Sequence, residues 1–194
     1  MLVHPLVPAR NVPEFIAYAM ANPGKLKMAS TGNGSSPHVS GLLFKMMTGV
    51  VLNLVHFAGG GPALKGLIEG QAQMMFEPMS ASIAPIRAGT LRALAVTTAT
   101  RSAVLPEIAT MGDFVPGYEA SAATGIGVPA NTPAEIIDRL NREINAAFAD
   151  PTMKARLVDP GGTVLAGSPF DFGRLMAEET EKWAKLIKYS GAKL

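Results

Sequence analysis

The chain has 194 residues, 48% of them hydrophobic and 16% charged, which supplies a core and leaves too little charge for a disordered segment. Its 17 basic and 15 acidic residues give a net charge of +2, and no basic run is interleaved with aromatics, so a nucleic-acid partner is not expected. Cysteine is absent, which excludes disulfides, thiolate metal sites and a cysteine nucleophile.

The opening Met1-Leu2-Val3-His4-Pro5 carries neither a basic n-region nor an apolar h-region, so it does not read as a signal peptide. Asn11 predicts an N-cap, with Glu14 closing a capping box. The helix that follows has Val12, Phe15, Ile16, Ala19 and Met20 as its apolar face and ends at Asn22-Pro23-Gly24. A strand from Leu26 to Ser30 leads through Thr31-Gly32-Asn33-Gly34-Ser35-Ser36 into a helix beginning near Pro37, with Val39, Leu42, Leu43, Met46 and Met47 on one stripe. A second strand near Val50 to His56 runs through Gly59-Gly60-Gly61 into a helix with Pro62 in its first turn and Leu64, Leu67 and Ile68 on its buried side. The run near Val50 to Ala58 is too short to span a bilayer. A strand near Gln73 to Phe76, a helix near Ala81 to Arg87 and a strand near Leu91 to Thr97 complete an α/β alternation that requires a largely parallel sheet.

After Tyr118 the pattern changes. An extended segment from Ala120 to Val128 precedes three helices, opened by Thr132-Pro133, Asp150-Pro151 and Ser168-Pro169. The first is expected to bury Ile136, Ile137, Leu140, Ile144 and Phe148, and the last has Phe172, Met176, Trp183, Leu186 and Ile187 along one face. Short strand candidates lie near Ile126 and at Thr163 to Leu165.

Both glycine-rich turns stand at the carboxyl ends of strands, where open α/β sheets take their ligands. Glycine permits positive φ and close backbone approach, and free amides at a helix start hold an anion. Glu77-Pro78-Met79-Ser80 is a third loop of this kind. Gly32-x-Gly34 is followed by Pro37, which defeats a dinucleotide fingerprint; neither turn has a Walker lysine, and no Gly-x-Ser-x-Gly elbow makes Ser35 or Ser36 a nucleophile. His4, His38 and His56 lack metal-ligand spacing. His38 is expected to hold the loop or to face the ligand, with the balance toward holding it. No Arg or Lys lies in either turn, so neutral donors are expected to bind the charge, and Arg87 and Arg92 are read as solvent-facing or structural residues around the Ala88-Gly89 turn.

Ala29-Ser-Thr-Gly-Asn-Gly-Ser-Ser-Pro-His38 resembles the Ala-Ser-x-Gly-x-Gly-Ser-x-x-His segment of the periplasmic solute receptors of tripartite tricarboxylate transporters, the Bug proteins. The likeness continues through Gly59-Gly60-Gly61-Pro62-Ala63-Leu64, Ile86 to Thr97, Arg101-Ser102-x-x-Leu105-Pro106-Glu107, Pro133 to Asn145 and Lys182-Trp183-Ala184-Lys185. It implies a Venus-flytrap protein of the periplasmic-binding-protein type II kind, with a complete second lobe over residues 1–121. Residues 122–194 would be the helix-rich C-terminal part of an incomplete first lobe, because Met1 aligns with an interior position of full-length relatives. Their signal peptide and Pro-Gly-Gly-type loop precede that position.

The resemblance further implies an extracytoplasmic receptor, not an enzyme, without metal or cofactor. It would capture a di- or tricarboxylate, an amino acid or an aromatic acid and pass it to membrane permease subunits. A periplasmic location follows from the family, and a cytoplasmic one if Met1 is the true start. Expected ligand contacts are Ser30, Gly32, Asn33, Ser35 and Ser36, then Gly59, Gly60 and Ser80. The alternative is a binding-incompetent remnant that forms a homo-oligomer through the incomplete lobe.

Overall fold

A computed structural model describes residues 1–159 and 161–190; the last four residues of the expected 122–194 segment lie outside them. The chain divides into two compact units, Met1–Ala122 together with the segment from Leu186 on, and Ala123–Lys185.

The first unit is built on a five-stranded sheet of β1 (Leu2–Val3), β2 (Lys27–Ser30), β3 (Asn53–His56), β4 (Met74–Met75) and β5 (Arg92–Ala93), in the order β3-β2-β4-β1-β5. Its helices are α1 (Val12–Ala21), α2 (Ser36–Thr48), α3 (Gly60–Ile68) and α4 (Met79–Arg87). β2 runs parallel to both β3 and β4, as the strand–helix alternation requires. β1 departs from that expectation: it is antiparallel to β4 and β5 and lies between them. Two residues are too few to display an alternation in sequence, so tertiary pairing alone makes them a strand. The pairing extends through Met1, whose amino group donates to Ala95 O at 2.7 Å while Leu94 N donates to Met1 O at 3.0 Å.

Met28, Ala29 and Ser30 are consecutive and all buried, as expected of a central strand covered on both faces. On one face Phe44 of α2 meets Phe15 of α1, Phe76 and Tyr118 at ring separations of 5.8 to 6.4 Å, and the Tyr118 hydroxyl donates to Ser40 O at 2.9 Å. On the other, Ala63 and Leu67 of α3 pack with Leu2, Ala29, Met75 and Leu91. Gly41 sits mid-helix because the Met28 thioether occupies the space a Cβ would need; that close approach offsets the roughly 1 kcal/mol a helical glycine costs.

The Asn11 cap forms as the sequence predicts, with its Oδ1 accepting from Glu14 N at 2.8 Å. Glu14 reaches back to accept from Arg10 N and from the Asn11 side-chain amide, both at 2.7 Å, rather than from the Asn11 backbone N–H. Several apolar stripes are rotated from expectation. α2 buries Val39, Ser40, Gly41 and Phe44, whereas Met46 is 38% exposed; Met20 and Ile68 are exposed as well. Small residues pack closest to a sheet, so counting only large apolar side chains misplaces the face.

In the second unit, α5 (Ala134–Ala149), α6 (Pro151–Val158) and α7 (Pro169–Ser190, its end from Leu186 on counted with the first unit) start where the proline signals put them, within a residue or so. Asp150 Oδ1 accepts from Met153 N at 2.9 Å, and Ser168 and Asp171 cap α7 reciprocally. Asn141 and Asn145 donate to Gly167 O, tying the approach to α7 onto α5. The expected burial of the α5 face does not occur: Ile136 is 47% and Leu140 40% exposed, and no residue of α5 or α6 is buried. The strand candidates near Ile126 and at Thr163 to Leu165 form no ladder among the described residues.

Candidate functional site

The topology itself marks a place for a ligand. From β2 the chain passes through α2 to β3 on one side, then through α3 to β4 on the other side of β2. Such a reversal leaves a crevice beyond the carboxyl end of the central strand. Three loops converge on this edge, one after each of β2, β3 and β4: residues 31–35, 57–59 and 76–78.

The first loop is held by its own side chains. Ser30, fully buried, has its Oγ 3.2 Å from Gly32 O, 3.4 Å from Ser35 Oγ and 3.2 Å from His56 Nδ1. Ser35 Oγ donates to Gly32 O at 2.7 Å. Gly34 N donates to His38 Nδ1 at 3.0 Å, which fixes the His38 proton on Nε2. The two imidazoles stand edge to face at 5.5 Å, joining the loop after β2 to the end of β3. Burial, with His56 and Lys45 nearby, holds His38 below the ordinary imidazole range, so it is a neutral acceptor. His38 therefore braces the loop. The tie from His56 to Ser30 was not legible in the sequence, because 26 residues separate them and only the β2–β3 register brings them together.

With these groups engaged, the donors that remain are backbone amides, beside the exposed side chains of Asn33 and Ser36. Gly32 and Gly34 have φ of 119° and 73°, a region that favours glycine. The N–H groups of Asn33 and Ser36 find no acceptor among the described residues. Gly59 has φ 120°, and Gly60 and Gly61 open α3 with free N–H groups in the same way. Both helix starts thus present unpaired donors at their positive ends. Ser80 is exposed in the first turn of α4. The structure brings Ser30, Gly32, Asn33, Ser35, Ser36, Gly59 and Gly60 to one edge of one sheet. Ser30 and Ser35 are internal struts there, while Asn33 and Ser36 are exposed.

Two arginines serve elsewhere. Arg92 Nη1 donates to Val7 O and Ala9 O at 3.1 and 2.9 Å, and Arg87 is exposed at the end of α4. The edge holds one acid that the reading of its loop passed over, Glu77. Its Oε2 is buried without a partner, and burial pushes its carboxyl up to about 7. The signal was an acidic residue directly after an apolar strand and before a proline. No cluster of three or more metal-ligating side chains occurs among the described residues.

Residues 1–192 match the family model described as the tripartite tricarboxylate transporter family receptor. This chain belongs to that family. Its members are transport receptors rather than enzymes. Among curated relatives, a protein of the tcbD-tcbE intergenic region of a Pseudomonas species is 36% identical over 92% of this chain and 54% of its own length. Protein BugT of Bordetella pertussis is 31% identical over 100% of this chain and 60% of its own. A solved R. palustris protein with adipate superposes with a TM-score of 0.92 at 35% identity, covering 98% of this chain and 64% of that one. MatC from Rhodopseudomonas palustris with bound malate gives 0.84 at 29% identity, covering 96% and 65%. The chain therefore spans about half to two thirds of the length of these relatives, and it shares their periplasmic-binding-protein α/β fold.

Proposed function

We propose that this chain is the ligand-gripping part of an extracytoplasmic solute receptor that captures a small carboxylate for a tripartite tricarboxylate transporter. The observation that carries the reading is the pair of open helix starts at one sheet edge, α2 and α3, whose glycine turns present free amides with no Lys or Arg between them. Such a site suits a carboxylate, whose two oxygens each accept from neutral donors in the field of the helix ends. Similarity to family members solved with adipate and with malate supports the same class of ligand. In this reading Asn33, Ser36, Gly59 and Gly60 contact the ligand and Gly32 allows its close approach. Ser30 and Ser35 hold the turn, and Ser80 borders the site. Residues 1–121 act as the second lobe and residues 122–194 as part of the first. The protein works in the periplasm and hands its ligand to the permease.

The test is isothermal titration of the chain with adipate, malate, aspartate and benzoate. Saturable heat with at least one supports the reading, and none with any of them at millimolar concentration rejects binding by this chain.

The second reading, an oligomerising remnant without a transport role, is favoured by the exposed apolar side chains of α5 and α6, Ile136, Leu140, Met153 and Leu157. Burial of such a face by a second copy would follow ordinary interface physics. A monomer by light scattering at high concentration would contradict it.

A further inference from the structure

Glu77 follows the buried run Met74 to Phe76 and precedes Pro78, so it stands at the carboxyl end of β4 beside the two open turns. Its Oε2 is buried and unpartnered. Its Oε1 lies 3.4 Å from the point a Cβ on Gly60 would occupy, against the first turn of α3. The carboxyl thus stands within van der Waals reach of the helix start, beside the free N–H groups of Gly60 and Gly61.

No charge compensates Glu77. Of the titratable and charged groups on the elements meeting at this edge, His38 on α2 accepts from Gly34 and His56 on β3 meets Ser30. Lys45 on α2 donates to Leu52 O, Lys65 on α3 pairs with Glu69 just past its end, and Arg92 on β5 binds two carbonyls near α1. Arg87 of α4 is exposed and makes no bond to Glu77. A carboxylate with one oxygen withdrawn from water, and neither cation nor donor beside it, is disfavoured in its charged form, so the half-buried group holds its proton to higher pH. An O–H at this point is a donor beside the free amides of Gly60 and Gly61.

We propose that Glu77 is a protonated carboxylic acid in the filled site, donating its O–H to the ligand's carboxylate alongside the α3 amides, so that binding draws a proton from solvent. The inference rests on the receptor reading above. The proton balance is simple: an ionised Glu77 and an incoming carboxylate cannot share the pocket, so each ionised Glu77 takes up one H⁺, about half a proton per ligand on average near neutrality and little at pH 6, and the proton stays on Glu77, shared toward the ligand oxygen. Nothing is oxidised and no other bond changes. The burial that raises this carboxyl to about 7 sets the pH range. The competent form falls from about nine-tenths at pH 6 to about one-tenth at pH 8, roughly a tenfold loss of affinity.

The experiment is titration of the whole chain with adipate and with malate at pH 6, 7 and 8, repeated near neutrality in phosphate and in Tris. The wild type should weaken about tenfold from pH 6 to 8, with a binding heat that depends on the buffer in the sense of proton uptake. Glu77→Gln keeps an N–H donor in the same place, so it should bind at pH 8 nearly as the wild type binds at pH 6, and its profile should be flat. Wild-type affinity that is flat from pH 6 to 8 with buffer-independent heat overturns the inference and leaves the receptor reading standing. An E77Q profile as steep as that of the wild type also overturns it, because the proton then goes to an imidazole. Should E77Q fail to fold, the buffer comparison on the wild type decides by itself. If neither acid binds at any pH, the receptor reading fails and takes this inference with it.

Discussion

Gly34→Val separates a backbone grip from a charge clamp. Gly34 has φ 73° and its N–H donates to His38 Nδ1 at 3.0 Å. A left-handed conformation costs an ordinary residue about 1–2 kcal/mol, and a β-branched one more. If the turn relaxes to escape that strain, the bond to His38 is lost, a further ~1 kcal/mol. The expected penalty of about 2–3 kcal/mol falls on the loop geometry, so affinity for adipate or malate should drop by roughly 30- to 150-fold. Arg87→Ala removes an exposed side chain that bonds to no other described residue and should change affinity by less than about twofold, in keeping with surface substitutions. Titration calorimetry on both variants, with circular dichroism to show that each is folded, gives the comparison. Loss of binding in Arg87→Ala with Gly34→Val intact would refute the reasoning, because the carboxylate would then be held by a guanidinium.

Three further outcomes follow from the same geometry. Phe44→Ala empties the centre of the Phe15–Phe76–Tyr118 cluster and should cost about 3–5 kcal/mol by chemical denaturation. Arg92→Ala leaves the Val7 and Ala9 carbonyls without their shared donor; a loss of about 1–3 kcal/mol is expected in the same assay, with little change in ligand affinity for a protein that remains folded. Glu77 lends a pH dependence to stability. Its folded value of about 7 lies above the reference 4.5, so below pH 4.5 both states hold the proton and the group costs nothing. The cost grows as pH rises through that window and is complete above about 7. Thermal melts of Glu77→Gln should therefore lie above those of the wild type at pH 8 and converge with them near pH 4.5.

Much of the first unit was legible because its signals are local. Asn11 with Glu14, the glycines before α2 and α3, and Pro151 and Pro169 at helix starts all act within one turn of chain, and the structure puts elements where they indicate. The two-residue strand β1 was not legible, since its partners lie more than 70 residues away in β4 and β5. The faces of α2 and α3 were misjudged for a related reason. Gly41 and Gly66 are buried where Met28 and Phe57 press against the helices, and a hydrophobicity count gives a glycine no weight. At the candidate site the sequence singled out the turns that the structure brings to one sheet edge. It could not say that Ser30 and Ser35 would spend their hydroxyls on the loop itself, that His56 would join them, or that Glu77 would be left unpaired, because each of these depends on register between strands.

In the proposed receptor, free amides at two adjacent helix starts hold the carboxylate. Backbone ¹⁵N–¹H shifts of the chain titrated with adipate, and separately with malate, test it most directly. Saturable shifts centred on the amides of Asn33, Ser36, Gly60 and Gly61 are expected, with Arg87 and Arg92 unmoved. Saturable shifts that avoid both turns, or that centre on the arginines, would contradict it.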